Sequence, residues 1–185
     1  MKKFSLKDII LLGLIAIVFG VIYFAAGFLY DGITLALTPF KLGPMANDLL
    51  LGLWCMAGPL AACLLQKPGT SFLAELIGSC IELVLGGQWG AANIISGVVQ
   101  GLGSEAGFAC LGYKNYGWGG LSLSALTTTV ITFAYDMVRN GYGRFAPQVI
   151  LLYFVVRLAM MFLFSAVLVK LILNLVAKSG VVKHA

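Results

Sequence analysis

Six ionisable residues stand inside or beside long apolar stretches of this 185-residue chain: Asp48, Glu75, Glu82, Glu105, Asp136 and Arg157. An ionisable group at bilayer depth is costly, so it turns toward a bundle interior and marks a candidate functional position. At about 100° per residue, Ser71, Glu75, Ser79, Glu82 and Gly86 fall on one narrow stripe of a single helix. Asn93, Ser96, Gln100 and Ser104 form a second stripe. A third holds Ser124, Thr128, Thr132, Tyr135 and Arg139, with Asp136 at its edge. Asn47, Leu51, Trp54 and Gly58 share a face, as do Tyr153 and Arg157. Polar stripes avoid lipid, so the five should converge on one interior site.

Depth divides these residues. Alternating chain direction puts Asn47, Asp48, Trp54, Glu82, Trp89, Asn93, Gln100, Tyr135 and Asp136 in the outer half. Glu75, Glu105 and Arg157 fall in the inner half, where a charge-paired lock between helices is one reading. The outer set is rich in acids, amides and aromatics. It suits a cationic or amine-bearing heteroaromatic ligand: rings stack on Trp or Tyr, and a carboxylate takes an amino group or a positive charge. The expected contacts are Glu82 and Asp136 for charge and amino recognition, Gln100 and Asn93 for ring hydrogen bonds, and Trp54 and Tyr135 for stacking.

The surrounding elements follow from composition. Hydrophobic residues make up 61% of the chain and charged residues 10%, against about 25% charged in soluble domains. Mean hydropathy is +1.00. The reading is an all-α, multi-pass cell-membrane protein with one transmembrane domain over 1–185. Six helices are expected near 6–29, 45–65, 70–85, 91–111, 119–138 and 148–176. The first apolar run is too long for a typical signal-peptide core and reads as a retained helix. Lys2, Lys3, Lys7, Lys67, Lys114, Lys170, Lys178 and Lys183 outnumber Lys41, Arg139 and Arg144 across the implied faces. Both termini are therefore expected to be cytoplasmic, with 31–44 as the longest outer loop.

Other chemistry finds little support. Cys55, Cys63, Cys80 and Cys110 form no CxxC pair, and the single histidine is His184. No metal or cofactor is expected. Neither a Walker A, GxSxG nor HExxH motif occurs, so the chain does not read as an enzyme.

Several strings resemble a known family. They are Lys67-Pro68-Gly69, Ala74-Glu75-Leu76, and Glu82-Leu83 with Leu85-Gly86. They continue with Val99-Gln100-Gly101-Leu102-Gly103-Ser104-Glu105-Ala106, and Tyr135-Asp136 with Gly141-Tyr142 and Pro147. Together they resemble the YkoE-type substrate-binding S-components of prokaryotic energy-coupling factor (ECF) vitamin transporters. The resemblance implies six helices, an outward ligand pocket and no catalysis. It implies thiamine or its hydroxymethylpyrimidine precursor as ligand, and partners in a transmembrane coupling subunit and cytoplasmic ATPases. It also implies docking through small residues of the first helix. Gly13, Ala16, Gly20 and Gly27 form such a stripe, and the same stripe also suits packing inside the bundle. The rival to this reading is a self-sufficient secondary transporter of a small organic cation, with Glu75 or Glu105 as its proton site.

Overall fold

The computed structural model describes residues 4–179. Lys2, Lys3, Lys183 and His184 lie outside them. Eight α-helical pieces run in order: α1 (Leu6–Leu37), α2 (Met45–Leu50), α3 (Ala57–Leu65), α4 (Thr70–Val84), α5 (Ala92–Cys110), α6 (Trp118–Arg139), α7 (Pro147–Met161) and α8 (Val169–Lys178). No strand occurs among the described residues. Among the described residues three spans are long and apolar enough to cross a membrane: Leu6–Phe40, Trp118–Arg139 and Pro147–Lys178. The helices between them are shorter or carry the buried polar stripes.

α1 starts at a capping box in which Asp8 N donates to Ser5 Oγ and Ser5 N donates to Asp8 Oδ2. Lys67 pairs with the same carboxylate, tying the start of α1 to the turn before α4. The sequence reading ends the first helix near 29 and gives 31–44 to an outer loop. The helix instead continues to Leu37 and closes in a 3₁₀ turn over Thr38–Phe40, with Lys41 left-handed at φ 60°. A mid-helix glycine is only about 1 kcal/mol worse than alanine. The extra turns bring Tyr30 and Thr34 to the cavity described below.

The expected second helix, 45–65, is interrupted. α2 stops at Leu50, a 3₁₀ turn covers Leu53–Cys55, and α3 begins at Ala57. Pro59 is the physical cause. It has no N–H to give and its ring collides with the carbonyl four residues back, that of Cys55. At Gly52 a Cβ would lie 2.5 Å from the Met160 carbonyl oxygen, so only glycine lets the two backbones meet. α7 and α8 are joined without a break by a π-helical stretch, Phe162–Leu168.

The small-residue stripe of α1 is an internal seam. Ala16, Gly20 and Gly27 are buried, and only Gly13 is partly open. A Cβ on Gly20 would lie 2.6 Å from Ile81 Cβ and 2.9 Å from the Gly78 carbonyl oxygen of α4, whereas one on Gly13 meets nothing within 4 Å. Ala16, Gly20 and Gly27, expected as docking residues, thus face into the bundle, and at Gly20 the approach of α4 leaves no room for a side chain. Gly20→Val is expected to destabilise the protein by about 1–3 kcal/mol through overpacking, while Gly13→Val stays near wild type. Thermal melts in detergent check the pair, and equal melting temperatures would contradict this packing.

Candidate ligand-binding cavity

A cavity of about 450 Å³ opens at the end of the bundle that carries loops 38–44, 85–91 and 140–146. All six expected contact residues line it: Trp54, Glu82, Asn93, Gln100, Tyr135 and Asp136. Helical phase put them there. The stripe of α4 brings Ser79 and Glu82, that of α5 brings Asn93, Ser96 and Gln100, and that of α6 brings Thr132, Tyr135 and Asp136.

One wall is aromatic. Trp54 and Trp89 meet edge to face at 5.3 Å between ring centroids, and Tyr30 stands 5.3 Å from Trp89 and 6.2 Å from Trp54. The Trp54 indole N–H donates to the Tyr23 carbonyl at 3.1 Å, which fixes its ring plane. Tyr30 and Trp89 are absent from the expected contacts. Tyr30, Thr34 and Thr38 recur at four-residue spacing, a signal that becomes legible once the helix is carried past 29. On the opposite side the Arg139 guanidinium covers the Tyr135 ring at 5.6 Å and donates to Ser96 Oγ at 2.6 Å.

The acids of the cavity differ in what they have to spare. Asp136 is fully engaged. Its Oδ2 accepts from Arg157 at 2.7 Å and from Asn47 at 2.9 Å, and its Oδ1 accepts from Asn140 at 2.9 Å. Glu82, only 4% exposed, keeps Oε1 without a hydrogen-bond partner, and Asn93 Nδ2 is likewise unpartnered. The two sit together: a point one Cβ out from Gly87 is 2.7 Å from Asn93 Nδ2 and 2.9 Å from Glu82 Cγ. A buried donor and a buried acceptor left unpaired each cost about 1–3 kcal/mol. A bound molecule with an acceptor beside a donor would satisfy both.

Residues 7–131 match the family described as "ABC-type cobalt transport system, permease component". Over 181 residues the chain is 34% identical to the "Putative HMP/thiamine permease protein YkoE" of Bacillus subtilis (strain 168), covering 98% of this chain and 88% of that protein. A solved structure described as "Crystal structure of an S-component of ECF transporter" superposes with a TM-score of 0.87 at 32% identity. That match covers 97% of this chain and 88% of the other. This chain is an ECF-transporter S-component. It is a transport protein and not an enzyme.

The remaining charges within the bundle of the S-component, with Asp48, Glu75 and Arg157 buried and Glu105 half-buried, hold its elements together. Arg157 does not join Glu75 or Glu105 in an inner lock. It reaches toward the cavity end of the bundle, where Nε and Nη2 each lie 2.6 Å from Asp48 Oδ1, Nη2 also meets Asp136, and Nη1 donates to Thr132 Oγ1 at 3.3 Å. Tyr142 Oη donates to Asp48 Oδ2 at 3.0 Å, so the cluster ties α2, α6, α7 and the 142–144 turn beside the cavity. Glu105 accepts from the backbone N–H groups of Gly69, Ser71 and Phe72 at 2.6, 3.1 and 3.2 Å. It thereby caps the N-terminus of α4, where a carboxylate is favoured by the helix dipole. Glu75 accepts from Tyr23 Oη at 2.7 Å and from Gly58 N at 2.6 Å.

Proposed function

We propose that this S-component binds thiamine or a related aminopyrimidine from the outer face of the cell membrane. It then delivers the ligand inward with a transmembrane coupling subunit and cytoplasmic ATPases. The observation that carries the reading is the unpartnered pair of Glu82 Oε1 and Asn93 Nδ2 beside the Tyr30–Trp54–Trp89 wall. A 4-aminopyrimidine presents a ring nitrogen acceptor next to an amino donor. Asn93 donates to the ring nitrogen, Glu82 accepts from the amino group, and the aromatic wall takes the ring face. The thiazolium of thiamine gains further from the same aromatic faces and from the Glu82 charge. The name of the Bacillus subtilis relative points to the same ligand class.

Asp136 takes a different role from that expected from sequence: it helps hold the cavity wall through Arg157 and Asn47 instead of meeting the ligand charge. Glu75 and Glu105 each accept a backbone N–H at a helix N-terminus, a structural use of both carboxylates that favours the S-component reading over a secondary transporter with proton sites there. Six membrane crossings with both termini cytoplasmic put the cavity outside, in keeping with the lysine distribution.

Mass spectrometry of the protein purified in detergent tests the ligand class: thiamine or hydroxymethylpyrimidine should co-purify. Uptake in cells should require the ATPase partners, and uptake without them would favour the rival. Reporter fusions after Lys67, Trp89, Lys114 and Arg144 should read inside, outside, inside, outside. An external signal at Lys114 overturns the topology.

A further inference from the structure

The interruption at 51–56 leaves backbone groups without helical partners at the cavity floor, and three side chains from other helices take them. In α3, Ala57 N donates to Tyr23 Oη at 3.2 Å and Gly58 N to Glu75 Oε1 at 2.6 Å. Tyr23 Oη in turn donates to Glu75 Oε2 at 2.7 Å. On the carbonyl side, Ser165 Oγ stands 3.1 Å from the Cys55 oxygen and 3.1 Å from that of Gly52, which also accepts from Cys55 N at 3.3 Å. Cys55 is the carbonyl that Pro59 cannot serve. Ser165 comes from the π-helical stretch, and π-bulges recur at functional positions. Irregular backbone at membrane depth is tolerated where protein satisfies it or where it lines a cavity. Here both conditions hold, because Leu51 and Trp54 of the interruption face the cavity. Tyr23, Glu75 and Ser165 are each at most 2% exposed and are absent from the cavity lining.

We propose that Glu75, Tyr23 and Ser165 are positioning residues for ligand binding, which hold the interrupted helix and thereby fix Trp54 in the cavity wall. Tyr23 acts twice, since its carbonyl holds the Trp54 indole N–H while its hydroxyl joins Glu75 at the start of α3. The proposal rests on the reading that the cavity takes an aromatic ligand against Trp54.

A double-mutant cycle with thiamine as probe tests it. Glu75→Gln, Tyr23→Phe and Ser165→Ala are each made in the wild-type and Trp54→Ala backgrounds, and affinity is measured calorimetrically alongside melting temperature. Coupled neighbours show interaction energies that a cycle isolates. In the wild-type background, Glu75→Gln and Tyr23→Phe are expected to weaken thiamine binding about tenfold, and Ser165→Ala about threefold. In the Trp54→Ala background each should change affinity less than about twofold. Equal losses in the two backgrounds, or a lowered melting temperature with unchanged affinity, overturn the proposal and leave the function standing. Absence of thiamine and hydroxymethylpyrimidine binding in the wild type overturns the function itself and this proposal with it. Ser165→Ala and Tyr23→Phe keep the cycle decisive if Glu75→Gln fails to fold.

Discussion

Glu82→Gln is expected to weaken thiamine binding by about 2–5 kcal/mol, the loss typical of truncating one partner of a buried charge pair. At about 1.4 kcal/mol per tenfold, this is a factor of roughly 30 to several thousand. Glu82 is the cavity carboxylate with an oxygen to spare, whereas each oxygen of Asp136 already accepts from the protein. Asp136→Asn should therefore cost much less affinity than Glu82→Gln. Asn93→Ala should lie between them, since it removes one neutral hydrogen bond worth about 0.5–1.5 kcal/mol. Neutral hydroxymethylpyrimidine should lose less than cationic thiamine in Glu82→Gln, because only the amino contact is weakened. Calorimetry on the purified variants checks this order. Wild-type affinity in Glu82→Gln, or a larger loss in Asp136→Asn, would move the ligand charge away from Glu82.

Arg157→Leu is expected to be the most destabilising single change in the bundle. Its guanidinium is fully buried and faces two buried carboxylates, those of Asp48 and Asp136. Removing one partner of a buried ion pair costs about 3–5 kcal/mol, because the other charge is left uncompensated, whereas replacing all partners is often near neutral. Arg157→Leu should therefore express poorly or melt far below wild type. The triple variant Arg157→Leu with Asp48→Asn and Asp136→Asn should recover much of the loss. Melting temperatures in detergent read both. A single variant that melts with wild type, or a triple variant no better than the single, would show that the cluster is not charge-coupled.

The cavity was legible in the sequence for a physical reason. Lipid forbids exposed polar side chains, so helical phase alone turns Glu82, Asn93, Gln100 and Asp136 inward, and chain direction sorts them by depth. The partners of those side chains were not legible. Asp48 and Asp136 reach Arg157 from other helices, and its long side chain carries the charge toward the cavity end and away from Glu75 and Glu105. The small-residue stripe is ambiguous for a related reason: Gly20 permits close approach to any helix, and phase does not say whether that helix is α4 or a partner's. Pro59 and Gly52 did signal the interruption of the second helix. Their apolar surroundings hid it, because hydropathy averages over a break that phase and proline sterics would locate. The end of α1 lies past 29 because the Tyr30, Thr34 and Thr38 face continues into the cavity wall, a four-residue spacing that hydropathy does not register.

Direct titration of the purified wild-type protein with hydroxymethylpyrimidine and with thiamine tests the central claim most directly. The cavity and its unpartnered Glu82–Asn93 pair predict saturable one-to-one binding of both, tighter for thiamine. Saturable binding of neither compound would contradict the assignment of this cavity to an aminopyrimidine.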